Sequence, residues 1–110
     1  MAITDSIVNF RRSLKRRNLS HHTVKNYMHS LGHFVVWIKS PIERVSRADV
    51  GAYIDHLMDK ALKPETINAH LNRIRQFYRY LIEQEQLDII NPVQGVPKVR
   101  VPKPLPKHLQ

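Results

Sequence analysis

The sequence predicts an all-α protein of four helices followed by an extended, basic segment rich in proline. Three observations lead there. Four stretches repeat their apolar residues every three or four positions, the period of a helix with one buried face. Each stretch opens on a residue suited to a helix start: Thr4, Ser20, Ser46 and Pro64. Against a sheet stand a total of three glycines and no sustained alternation of β-branched and polar residues.

The first helix is expected from Thr4 to Arg17, with Thr4 as cap and Asp5 in the electropositive first turn. Ile3, Ile7, Phe10 and Leu14 make one apolar stripe, and Arg11, Arg12, Lys15, Arg16 and Arg17 cover the other faces. The second is expected from Ser20 to Lys39. Val24, Tyr27, Met28, Leu31, Val35 and Ile38 share a face at about 100° per residue, with Lys25, Asn26, His29 and His33 opposite. Val36 and Trp37 fall on that opposite side, so the last turn is apolar nearly all round and is expected to be wedged between other elements. Pro41 ends it.

The third helix, Ser46 to Lys60, carries the stripe Val50, Tyr53, Ile54, Leu57, Met58 and Ala61, with Asp49, Asp55 and Asp59 outward. The fourth, Pro64 to Gln86, is the longest. Ile67, Leu71, Ile74, Phe77, Tyr78 and Leu81 form its core stripe. Asn68, Asn72, Arg75, Gln76 and Arg79 lie opposite, with the small Ala69 among them. Tyr80 alone of the tyrosines is expected to point outward. After Asn91-Pro92, prolines 92, 97, 102, 104 and 106 alternate with Lys98, Arg100, Lys103 and Lys107. Such a stretch cannot be a helix interior and is expected to be an extended linker, suited to tracking a phosphate backbone. The division is therefore residues 1–90, a helical domain, and 91–110, a linker that runs towards something beyond it.

Size and composition narrow the function. A chain of 110 residues, 42% hydrophobic, buries one core. Without cysteine it has no disulfide, thiolate metal site or thiol nucleophile. Its longest apolar run, Phe34–Ile38, is five residues, against roughly 18–20 for a membrane span. The N-terminus lacks a basic, then apolar, secretory pattern. A soluble intracellular protein with no membrane partner is expected.

Lysine and arginine number 18 against nine acids, a net charge of +9. A domain so basic is expected to meet a polyanion, because each cation set against a phosphate releases counterions. The charge also has a direction. Segment 41–62 holds Arg44, Arg47 and Lys60 against Glu43, Asp49, Asp55 and Asp59, a net −1, while the strong positive charge lies in residues 1–40 and 91–110. The third helix is thus expected to face away from the polyanion. The second and fourth present asparagine, arginine, lysine, histidine and glutamine, which hydrogen-bond base edges and phosphates.

Catalytic and metal chemistry find no support. His29 and His33 stand one turn apart, but no carboxylate at matching spacing completes a site, and no metal or cofactor is expected. Neither a glycine-rich phosphate loop nor a nucleophile elbow is present. No small-molecule substrate is expected.

The order of motifs resembles a known family. Asn18-Leu19-Ser20-His21-His22-Thr23-Val24-Lys25-Asn26-Tyr27, followed by Leu31, Phe34 and Trp37, is similar to the second helix of the core-binding domain of phage integrases and Xer-type tyrosine recombinases. Lys63-Pro64-Glu65-Thr66-Ile67-Asn68, then Leu71 and Ile74-Arg75-Gln76-Phe77-Tyr78-Arg79-Tyr80-Leu81, resembles its fourth helix. Asn91-Pro92, Pro97-Lys98 and Leu105-Pro106-Lys107-His108-Leu109 resemble the linker to the catalytic domain. Lys63 departs from the pattern, which favours a small capping residue there.

The resemblance implies a four-helix, SAM-like orthogonal bundle, one half of a clamp around double-stranded DNA. It implies that Thr23, Lys25, Asn26 and His29, with Thr66, Asn68, Ala69, Asn72, Arg73 and Gln76, face the major groove. Periodicity separately nominates Arg75 and Arg79, for phosphates. The resemblance further implies a bacterial or phage-derived cytoplasmic enzyme that exchanges DNA strands through a phosphotyrosine, in a synaptic complex with further protomers. Its catalytic residues would lie in an absent C-terminal domain, leaving none here. From the residues alone, a stand-alone helical DNA-binding regulator and a helical protein-interaction domain stay open.

Overall fold

The computed structural model describes residues 2–102, and within them the chain is all-helical as expected, with no strand. In order come α1 (Ile3–Arg16), α2 (His21–Ile38), a single 3-10 turn (Ile42–Arg44), α3 (Arg47–Asp59) and α4 (Pro64–Glu83). The features noted at Lys103, Pro104, Pro106 and Lys107, and the run Leu105–Leu109, lie outside the described residues.

Helix starts follow local chemistry. Ser20 caps α2 by accepting from the Thr23 N–H at 3.1 Å. In α3, Ser46 and Asp49 bond reciprocally: the Asp49 N–H donates to Ser46 Oγ (3.1 Å) and the Ser46 N–H to Asp49 Oδ2 (2.9 Å). Asp49 is therefore a capping residue rather than simply an outward charge. At α4 Lys63 caps without a side-chain bond and Pro64 occupies the first turn. The expectation for α1 is corrected: Ala2, with no side-chain bond, precedes the helix and Thr4 lies inside it. With the cap two residues earlier, Ile3 of the stripe lies within the helix and packs against the core.

Helix ends use a different device. After α1 the N–H groups of Asn18 and Leu19 donate to the carbonyls of Lys15 (2.9 Å) and Leu14 (3.4 Å). After α3, Ala61 and Leu62 do the same to Met58 (2.9 Å) and Leu57 (3.5 Å). Both are paired closures through a left-handed residue, at φ 57° for Asn18 and 58° for Ala61. Alanine is a poor occupant, because its Cβ crowds the backbone there. Ala61→Gly should raise stability by about 1 kcal/mol, read as a higher urea midpoint at unchanged slope.

The core lies between the helices, with α4 its axis. Ile67, Leu71, Ile74, Phe77, Tyr78 and Leu81 of α4 are buried against Phe10 and Leu14, Val24, Leu31 and Phe34, and Val50, Tyr53 and Leu57. Tyr78 donates its hydroxyl to the Ile42 carbonyl at 2.7 Å, tying the 3-10 turn to the axis. Burial carries the Tyr53 phenol up to about 12, and its hydroxyl is buried without a partner among the described residues.

Several placements differ from expectation. Tyr80 is half-buried, its ring 5.2 Å from that of Phe10, because α1 crosses there. Met58 is 53% exposed and Ala61 lies beyond the helix, so the α3 stripe closes at Leu57. In the last turn of α2, Trp37 is covered by Tyr53 and His56, but Val36 remains 75% exposed. Phe34, absent from the stripe, is fully buried, as is Ser30.

The segment after Asn91 returns to the bundle. Val93 is fully buried, and Val96 and Val99 pack against the core. The Asn91 side-chain amide donates to the Arg75 carbonyl (3.2 Å), and Arg47 donates to the Gln94 carbonyl (2.7 Å). Gly95 turns the chain at φ 78°, with the Arg47 guanidinium 3.1 Å from where a Cβ would sit.

Candidate nucleic-acid interface

The α2–α4 pair is the most extensive helix pairing in the bundle, and the residues singled out from sequence lie on these two helices. On α2, Lys25 and His29 are exposed while Thr23 and Asn26 are half-buried. Ser20 Oγ donates to Thr23 Oγ1 at 2.8 Å, drawing that hydroxyl into the helix start. His29 meets His33 edge to face, ring centroids 4.5 Å apart.

On α4, Thr66, Asn72 and Arg79 are exposed; Asn68, Ala69, Arg73, Arg75 and Gln76 are half-buried. Arg79 pairs with Glu83 one turn on, at 3.0 Å. With both side chains more than half exposed, that pair contributes little and can exchange for a phosphate.

The structure sorts these residues into two flanks. One turns to α2. The Arg73 guanidinium donates to Ser30 Oγ at 3.1 Å, and Ser30 Oγ lies 2.7 Å from His70 Nδ1. This link runs from a buried position of α2 to two half-buried residues of α4. Burial, then Arg73, then His29 and His33, hold the His70 imidazole below its ordinary value of 6.5. The other flank turns to the C-terminal segment. The Asn68 amide donates to the Val99 carbonyl (2.8 Å), and the Val99 N–H donates to Asn68 Oδ1 (2.7 Å). Arg75 Nε donates weakly to the Val93 carbonyl at 3.4 Å. Asn68, Ala69, Asn72 and Arg75, with Lys98, line a small cleft of about 260 Å³.

Sequence reasoning missed Ser30 and His70. Ser30 stands three residues after Tyr27 and four before Phe34, an inward helical position for a hydroxyl. A buried serine there needs a partner, and that was the signal available. The depressed His70 value has a consequence for stability. Below about pH 6.5 the unfolded chain binds a proton that the folded chain resists, so stability falls with pH in that range. Between about pH 7.5 and pH 5.5, His70→Asn should lose less stability than the wild type in urea titrations, because its amide oxygen replaces Nδ1 without titrating.

No group of three or more histidines and carboxylates among the described residues is placed to hold a metal. No helix there is long and apolar enough to cross a membrane. Asp55 and Asp59 are exposed on α3, and Arg11, Arg12, Lys15, Arg16 and Arg17 are exposed on and just after α1.

Comparison with known proteins agrees with this architecture. Over 103 residues the chain is 31% identical to the tyrosine recombinase XerC of Chlorobaculum parvum, covering 84% of this chain and 30% of that protein. It is 35% identical over 98 residues to the tyrosine recombinase XerD of Pseudomonas putida, covering 84% of this chain and 32% of that one. XerD of Chlorobaculum tepidum is 26% identical over 96 residues, 84% and 31% of the two chains. The chain thus spans about a third of the length of these relatives. No solved structure matches it. The family model described as phage integrase, N-terminal SAM-like domain, matches residues 7–88, and the chain belongs to that family.

Proposed function

We propose that this domain binds double-stranded DNA for a site-specific tyrosine recombinase, laying the polar faces of α2 and α4 into the major groove. The observation that carries the reading is the buried link from Ser30 of α2 to His70 and Arg73 of α4, which ties the two helices together beneath their polar faces, in a chain of net charge +9. Arg73, Gln76, Asn72 and Asn26 are suited to base edges, and Lys25 and Arg79 to phosphates. The acids Asp55 and Asp59 sit on α3, the one net-negative helix of the four. In this reading the strand-exchange tyrosine belongs to another part of the parent enzyme. Tyr53 and Tyr78 are buried in the core, where burial raises their phenols, and Tyr27 and Tyr80 pack half-buried against it. Further protomers on the same DNA are the expected partners, in the cytoplasm.

Titration against duplex DNA at several salt concentrations tests this. Affinity should fall as salt rises, with a log–log slope of about −0.9 per phosphate neutralised. Replacing both Asp55 and Asp59 by lysine should leave binding unchanged or slightly tighter. Absence of binding at low salt refutes the reading, and a marked loss in the folded double variant refutes the orientation.

A further inference from the structure

We propose that His70, at a position not singled out from sequence, determines base specificity by presenting Nε2–H as a fixed hydrogen-bond donor to the major groove. The inference rests on the DNA-binding reading and deepens it.

The tautomer follows from the hydrogen bonds. Arginine has only donors, so in the 3.1 Å contact with Arg73 the Ser30 oxygen must accept. Ser30 is 0% exposed, and no carbonyl among the described residues accepts from it. The acceptor in reach of its hydroxyl proton is His70 Nδ1, at 2.7 Å. Were Nδ1 to carry the proton instead, the hydroxyl hydrogen would be buried without an acceptor. A neutral imidazole accepting at Nδ1 carries its proton on Nε2. The surroundings support neutrality: Arg73 on the same helix and His29 and His33 on α2 all disfavour a further positive charge.

Nε2 is free to act. It makes no hydrogen bond among the described residues and is not among their buried, unpartnered atoms, so it reaches solvent. His70 lines an open hollow together with His29 of α2, a residue assigned to the groove, and with Tyr53, His56 and Leu57 of α3. A ring locked at one nitrogen offers a donor alone at the other. It therefore favours guanine N7 or O6, adenine N7 or thymine O4, and opposes the amino groups of cytosine and adenine. Ser30 and Arg73 act through His70 as positioning residues.

Two measurements on the full chain test the proposal. Nitrogen-15 NMR of the imidazoles near neutral pH should show His70 protonated at Nε2 and bare at Nδ1. In Ser30→Ala the two tautomers should mix. The reverse tautomer in the wild type overturns the proposal and leaves the DNA-binding reading intact. Duplexes selected by the wild-type chain from a random-sequence pool are then varied one base pair at a time. At one position the wild type should prefer an acceptor edge by about tenfold. His70→Ala should reduce that preference below about twofold while keeping the rest of the profile, and Ser30→Ala should weaken it partly. A uniform loss on all duplexes, with no change confined to one position, means a merely structural histidine. If no duplex is bound at all, the DNA-binding reading fails first and this proposal falls with it.

Discussion

Replacing Phe10 with alanine should destabilise the domain by about 3–5 kcal/mol. Phe10 is 2% exposed and its ring centroid lies 5.8, 5.3 and 5.2 Å from those of Tyr27, Phe77 and Tyr80. It is the point at which α1 meets both α2 and α4. Removing it opens a cavity walled by three rings held by their own helices, which cannot all close in. The loss is a large part of the 5–15 kcal/mol typical of a domain. Urea unfolding measures it. A change under about 1 kcal/mol would mean that α1 is dispensable to the core. DNA affinity, where the variant is folded, should change little, since the rings it packs on, Tyr27, Phe77 and Tyr80, are not among the residues assigned to the groove.

Asn68 and Asn72, one turn apart and alike in sequence, should fail in different ways. Both amide groups of contact on Asn68 are taken by the Val99 backbone, so Asn68→Ala should release the segment from Pro97 onwards. Trypsin should then cut faster after Lys98 and Arg100. Asn72 is exposed and its side chain bonds to nothing among the described residues, so Asn72→Ala should leave proteolysis unchanged. On a selected DNA site it should cost about 1–3 kcal/mol of affinity, and little on random duplexes. Should Asn68→Ala lose base discrimination while the segment stays protected, Asn68 reads DNA and its bond to Val99 opens on binding. Equal losses for both variants on every duplex would reduce α4 to an electrostatic surface.

The same pair shows what can be read from one sequence. Periodicity placed Asn68 and Asn72 together on the polar side of α4, correctly, because a helix repeats its faces every 3.6 residues whatever surrounds it. Periodicity has no means of saying that a segment some thirty residues later would return to one of them. Prolines 92 and 97 were equally legible as breaking helix, yet the burial of Val93 depends on a groove that exists only once α3 and α4 have packed. Tyr80 looked outward for the same reason: its cover comes from Phe10, seventy residues earlier.

By itself, then, the sequence determined the features whose causes are local. These are four helices, the Ser20 and Ser46 caps, the proline start of α4, the apolar stripes, and the concentration of acids in the third helix. The order of its motifs also led to the family to which the chain belongs. Tertiary structure decided which polar side chains meet. The link from Ser30 to His70 spans 40 positions, and the bond from Asn68 to Val99 spans 31. Such contacts arise where packed helices cross. Hydrophobic burial sets that crossing without regard to polar identity, and each buried polar group must then find its partner there.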